Sequence, residues 1–215
     1  MDSGEENQDV VCSASNKDFC MITLADGVST CSKAKEGASL AAATITDFVM
    51  KKSDWFLEYD NQQVADFAVS HIVYELRKRA EAAAEKIEEY SSTVAWALLD
   101  KKKNRLLCFN LGDGAILGIE EGGCELLSAP MDSSQGCCVT TTTFADRAAA
   151  VKKMDAHRLK AVVICSDGAW HQMSQKDRIK PEVEQMLTEE AYDRLQTFLT
   201  NQHCFDDYSF ISLQC

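Results

Sequence analysis

Apolar and polar positions along the chain follow two rhythms. Val10 to Ser13 and Phe19 to Ala25 are short apolar runs parted by Ser15-Asn16-Lys17-Asp18, which reads as two strands and a turn. From Lys33 to Met50 the spacing lengthens, and Ala38, Ala41, Ala42, Ile45, Phe48 and Val49 share one helical face. A longer helix is predicted from about Gln63 to Tyr90. Its stripe of Ala68, Ile72, Leu76, Ala80, Ala83 and Ile87 opposes a charged face with Glu75, Arg77, Lys78, Glu81 and Glu88. Strand-like runs return at Thr93–Leu99, Arg105–Leu111, Ala115–Ile119 and Cys124–Leu127, joined by short polar turns that predict an antiparallel meander, with Val139–Phe144 a weaker candidate. Leu159–Cys165 is apolar throughout, the pattern of a strand buried on both faces. A final helix is predicted from Pro181, a residue suited to a first helical position, with Val183, Leu187, Ala191, Leu195 and Phe198 along one side. Tyr208–Leu213 closes the series as a strand.

Strands and helices are therefore segregated rather than alternating, which disfavours a parallel doubly wound sheet. The expected fold is α+β: two antiparallel β-sheets packed as a central sandwich and flanked by helices, in α-β-β-α layers. With 46% hydrophobic residues, only two Pro and no linker-like tract, residues 1–215 are expected to form a single domain.

Charge and cysteine content narrow the setting. A formal charge of −12 argues against a nucleic-acid partner. The basic run Lys101-Lys102-Lys103-Asn104-Arg105 lies between two strands and reads as a solvated loop. None of the ten Cys forms Cys-x-x-Cys and several sit in apolar runs, which suits a reducing compartment. The acidic start Met1-Asp2-Ser3-Gly4-Glu5-Glu6 is unlike a signal peptide, and no apolar stretch approaches the roughly 20 residues of a membrane helix. A cytoplasmic protein without a membrane partner is expected.

Most catalytic signatures are missing from the sequence. It has no phosphate-binding Gly-x-x-x-x-Gly-Lys loop, no Gly-x-Gly-x-x-Gly, no Gly-x-Ser-x-Gly, and no Cys followed six residues later by Arg. His71, His157, His171 and His203 show no paired spacing, and His71 on a helix flank reads as structural. What recurs is aspartate at strand ends. Asp26-Gly27, Asp113-Gly114 and Asp167-Gly168 each end an apolar run, and Asp206-Asp207 opens the last one. Taken singly, Asp-Gly is a hairpin signal, because both residues tolerate positive φ. That reading suffices for Asp113-Gly114 between two strands, and is weaker where a helix or loop follows. Taken together, carboxylates at strand ends form an oxygen-only cluster suited to hard divalent cations.

In this order the motifs resemble the metal-dependent protein serine/threonine phosphatase family of type 2C, in its compact bacterial form. The resemblance covers nearly the whole chain and is carried by Asn7-Gln8-Asp9, Ala25-Asp26-Gly27-Val28, Ser92-Thr93-Val94, Leu111-Gly112-Asp113-Gly114, Cys165-Ser166-Asp167-Gly168 and Asp206-Asp207-Tyr208-Ser209. It implies hydrolysis of phosphoserine and phosphothreonine esters in proteins by a hydroxide bridging two divalent cations, Mn or Mg, without a covalent enzyme intermediate. On this resemblance Asp26 bridges the two ions, Asp167 and Asp206 complete the first ion's shell, and the Gly27 carbonyl binds the second. Asp113 helps hold a looser third ion, and Asp9 orients water from behind. The implied partners are phosphoproteins in signalling, targets of a serine/threonine kinase, with the enzyme acting as a monomer. Several departures are visible. The family's phosphate-binding Arg falls at Gly4, no Arg precedes Arg77, and residues 1 to 7 leave little room for a preceding strand. Val28 stands where eukaryotic members have His, Gly114 where Ser is usual, and the Ala129–His157 segment, the place of the flap subdomain, is short. These leave open a second class, a catalytically weak phosphatase-like binding or regulatory module, and a third, a purely structural sandwich.

Overall fold

A computed structural model describes residues 7–131, 139–176, 178–202 and 206–215. Two antiparallel sheets lie face to face. The first has strand order β1-β2-β3-β4-β7, from β1 (Asp9–Ser15), β2 (Phe19–Asp26), β3 (Val94–Asp100), β4 (Arg105–Leu111) and β7 (Ala150–Asp155). The second has the order β11-β8-β5-β6, from β5 (Ala115–Glu120), β6 (Gly123–Ser128), β8 (Ala161–Cys165) and β11 (Phe210–Gln214).

Period-two alternation assigns each face. On β3, Ala95, Ala97 and Leu99 join Ile22, Leu24 and Leu106 in the core between the sheets, facing Ile116, Val162 and Ile164 of the second sheet. The intervening Val94, Trp96 and Leu98 point outward to helices α1 (Ala34–Lys51), α2 (Ser53–Glu58) and α3 (Asn61–Ala83). On the other side Ala161, Val163 and Cys165 of β8 meet α5 (Asp167–Met173), α6 (Pro181–Thr188) and α7 (Tyr192–Thr200). Both faces of each sheet are covered, so β3 and β8 are buried at every position, and their unbroken hydrophobic runs follow from that. The architecture is α+β with α-β-β-α layers.

Small residues let α1 approach the sheet: Ala38, Ala41 and Ala42 are completely buried. Trp96 anchors the same layer, stacked on its cross-strand partner Phe109 at 5.3 Å and edge-on to Phe56 of α2 at 6.0 Å. His71 is structural as expected, stacked on Phe48 at 3.9 Å.

The structure departs from the sequence-based expectations at the connections. β4 and β5 are not a hairpin: Leu111 pairs with Val94, whereas Ala115 pairs with Cys165. Gly112-Asp113-Gly114 instead carries the chain from one sheet to the other, held by the Asn110 amide donating to the Gly114 carbonyl at 2.8 Å. The long helix stops at Ala83, where Ala84 turns left-handed (φ 55°), and Ile87–Tyr90 (η1) is a separate 3-10 turn. Tyr90 is fully buried, so the chain must bend there to enter β3. Val139–Phe144 forms turns, while the strand in this region is β7, after the single turn α4 (Ala145–Ala148). β7 is a sheet edge of partly exposed residues, and its Lys152-Lys153 pair hides the strand pattern. The last helix is two, broken at Glu190 (φ 56°). The short helices α2 and α5 and the small β9–β10 hairpin (Ser174–Gln175 with Arg178–Ile179) were not anticipated. Among the described residues no helix is long and apolar enough to cross a membrane, and the seven described Cys are free thiols.

Burial predicts where stability resides. Trp96→Ala should cost about 3–5 kcal/mol by urea unfolding, because it empties a site with no exposure. Tyr74→Ala, on the outer face of α3 at 61% exposure, should stay within about 0.5 kcal/mol.

Candidate active site

One end of the sandwich gathers the aspartates. The antiparallel register pairs Asp9 with Asp26, so these two side chains share a face at the edge of the first sheet. The end of β2 is fixed by the Thr93 N–H, which donates to the Asp26 carbonyl at 2.8 Å, and by a bridge between Gly27 and Ser92. The sheet-to-sheet crossing delivers Asp113. From the second sheet, β8 runs into α5 with Asp167 as its first residue, and Asp206 precedes β11. These two segments are tied by the Ser166 N–H to the Ser209 carbonyl at 3.0 Å, and by the Ser209 N–H to the Ser166 hydroxyl at 3.0 Å.

Glycine makes this proximity possible. At none of the three Asp-Gly pairs is the glycine at positive φ; the described glycines that are so are Gly112 and Gly123. Close approach is the reason instead. A Cβ on Gly168 would lie 2.0 Å from the Asp207 carbonyl oxygen, and one on Gly114 would lie 2.8 Å from that of Cys165.

Asp26, Asp113, Asp167 and Asp206, with Gly27, line one cleft of about 190 Å³. That is the space of about six waters, enough for small ions and a phosphoryl group. Asp9 lies behind, buried, with no hydrogen bond to either carboxylate oxygen, although the Ser166 and Ser209 hydroxyls stand close enough to favour its charge. All five side chains singled out in the sequence thus come to one end of the sandwich, four in the cleft and one beneath it. The donors line the cleft without closing on a point: among the described residues no trio of His, Cys, Asp or Glu forms a finished cation cage.

The electrostatics are those of crowded anions. Burial, and then the charges of Asp9 and Asp167, push the Asp26 carboxyl up to about 9. Asp167 is raised by burial and by Asp206 and Asp113, and Asp9 is raised chiefly by burial. At neutral pH these groups cannot all be ionised without added positive charge. Orphaned buried carboxylate oxygens, an all-oxygen donor set and this unmet charge together fit divalent cations.

Several residues support the site in roles that the sequence did not disclose. Asp207 accepts from the Gln8 N–H at 2.6 Å and so pins the start of β1 to the end of the chain. The Asn7 side chain accepts from the Asp9 N–H at 2.7 Å. The Lys35 ammonium donates to the carbonyls of Asn7 and, at 3.3 Å, Asp9, binding α1 to the same strand. Gly4 and the rest of residues 1–6 lie outside the described residues, as do residues 132–138 of the proposed flap segment, Cys137 and Cys138 among them, and His203 and Cys204.

A search of curated protein sequences returns no match. Solved structures share the fold at low identity. The serine/threonine phosphatase Stp1 from Staphylococcus aureus aligns with TM-score 0.73 and 15% identity, over 100% of this chain and 91% of that one. The S. agalactiae serine/threonine phosphatase aligns at 0.64 and 18%, over 96% and 92%. RsbX in complex with magnesium aligns at 0.63 and 14%, over 98% and 88%. The family model described as protein phosphatase 2C matches residues 1–202, and the chain therefore belongs to that family of metal-dependent protein serine/threonine phosphatases.

Proposed function

We propose that residues 1–215 act as one catalytic unit that hydrolyses phosphoserine and phosphothreonine esters of proteins in the aspartate cleft. The observation that supports this most is the convergence of Asp26, Asp113, Asp167 and Asp206 on one small cavity. Asp26, Asp113, Asp167 and Asp206, with the Gly27 carbonyl, would hold divalent cations, manganese or magnesium, in this cleft. Cations held there supply Lewis acidity toward the phosphoryl oxygens and lower the pKa of water.

The chain's own residues do the rest. Asp26 provides a carboxylate whose preference for the protonated form is reversed by positive charge. Asp9, buried and with the Ser166 and Ser209 hydroxyls close by to favour its charge, is placed to receive a proton from the reacting centre. The strand-end hydrogen bonds keep these groups fixed before substrate arrives. Substrates are phosphoproteins, targets of a serine/threonine kinase, and the enzyme is a cytoplasmic monomer.

A second reading has one observation in its favour: none of the described residues lining the cleft is basic. A phosphoryl dianion would then be held by the cations alone, which suits a slow enzyme or a phosphatase-like binding module.

Asp26→Asn should lower kcat toward an aryl phosphate by about 10²- to 10³-fold with Mn²⁺ present; unchanged turnover would remove this site assignment. A second expectation concerns pH. Asp26 has a folded pKa raised to about 9 from about 3.9 in the unfolded chain, so its contribution is fully present below the lower value. In chelator, stability should therefore fall as pH rises between those limits. Thermal melting from pH 5 to 9 should show that decline, Asp26→Asn should flatten it and melt higher at pH 8, and Mn²⁺ should raise the wild-type midpoint.

A further inference from the structure

Beside the aspartate cleft lies a larger cavity of about 900 Å³, and Asp113 and Asp167 line both. A phosphoryl group and its ions need only the smaller space. The larger one is built differently: its lining includes His171 and Lys176 together with Leu126, Met131 and Trp170. His171 follows Asp167 by one helical turn on α5, and Lys176 sits in the turn of the β9–β10 hairpin. That hairpin is anchored firmly. The Lys180 N–H donates to the Met173 carbonyl at 2.9 Å, and its ammonium donates to the Gln172 carbonyl at 2.6 Å.

Charge sets this groove apart from the cleft. In a chain of net charge −12, Lys176 and His171 are the basic residues among the described groove lining. The lining thus places a lysine, a histidine and apolar side chains beside the carboxylates shared with the cleft. We infer that the groove binds the substrate segment beside the phosphoresidue, taking one apolar side chain against Trp170, Leu126 and Met131 and one acidic side chain at Lys176 and His171. The inference rests on the phosphatase reading above and deepens it, by assigning preference to residues flanking the phosphate. The Lys176 charge, and the Asp113 and Asp167 walls shared with the cleft, select an acidic phosphopeptide as occupant.

The test separates the two readings. Fluorescence anisotropy measures binding of labelled phosphothreonine peptides to the Asp26→Asn protein, which suppresses turnover. The peptides differ only in Glu, Ala or Lys at the flanking positions. The Glu peptide should bind about five- to tenfold more tightly than the Lys peptide, with a contrast that shrinks in high salt. Adding Lys176→Glu should reverse the order. Equal affinities, or an order unchanged by Lys176→Glu, would overturn the groove assignment. Wild-type turnover of an aryl phosphate, too small to reach the groove, reports on the catalytic reading separately: its absence would sink that reading whatever the peptides do.

Discussion

Like-charge repulsion at one end of the sandwich is the constraint around which this molecule is arranged. Asp9, Asp26, Asp113, Asp167 and Asp206 come from five separate segments; burial raises the pKa of Asp9, Asp26 and Asp167, and like charge adds to it at Asp26 and Asp167. Nothing in the side chains favours that gathering. The backbone imposes it: the β1–β2 register, the Thr93 bond at the end of β2, and the paired Ser166 and Ser209 bonds between β8 and β11. Those bonds persist because β2 and β8 sit against the hydrophobic clusters of the sandwich, and burial there offsets the electrostatic cost at the rim. A site of this kind trades stability for affinity toward cations.

The layers were legible in the sequence because their signal is dense. A strand such as Ala161–Cys165, apolar at all five positions, has no solvated face to fit, and covered sheets with segregated helices imply the layered sandwich. Connections were less legible, since a short polar link looks the same whether it joins neighbours or crosses between sheets. Leu111-Gly112-Asp113-Gly114-Ala115 has hairpin chemistry, yet its flanks pair with Val94 and Cys165 on opposite sheets. Periodicity also ran past real breaks at Ala84 and Glu190, where a left-handed residue other than glycine ends the helix and local preference gives no warning. Edge strand β7 was lost because solvent exposure erased its pattern.

The site divides in the same way. Its aspartates were visible because they recur at the ends of apolar runs, and the family resemblance ordered them. The glycines beside them were visible for the wrong reason: positive φ was expected, whereas Gly114 and Gly168 are required so that two backbones can touch. Asp207, Asn7 and Ser166 lay inside the motifs, yet their roles, like that of Lys35, were not legible, because each acts through a backbone partner that only the fold brings near. Asp206 and Asp207 are chemically identical neighbours, yet one lines the cleft and the other ties down β1.

Overall charge then shapes how substrate selection must work. A protein with formal charge −12 repels an acidic phosphoprotein at long range, so electrostatic steering works against encounter. At physiological ionic strength that field decays over about 8 Å, leaving recognition to groups within contact distance. Surface ion pairs such as Lys51–Asp47 and Arg194–Glu189 are exposed and far too weak to reshape the field. What remains is a local reversal of sign, which cations at the carboxylates and Lys176 in the adjoining groove would supply. Specificity in such a molecule belongs to short-range geometry in the cleft and the cavity beside it, and the catalytic rim can keep its acidic character because binding does not depend on the field of the whole chain.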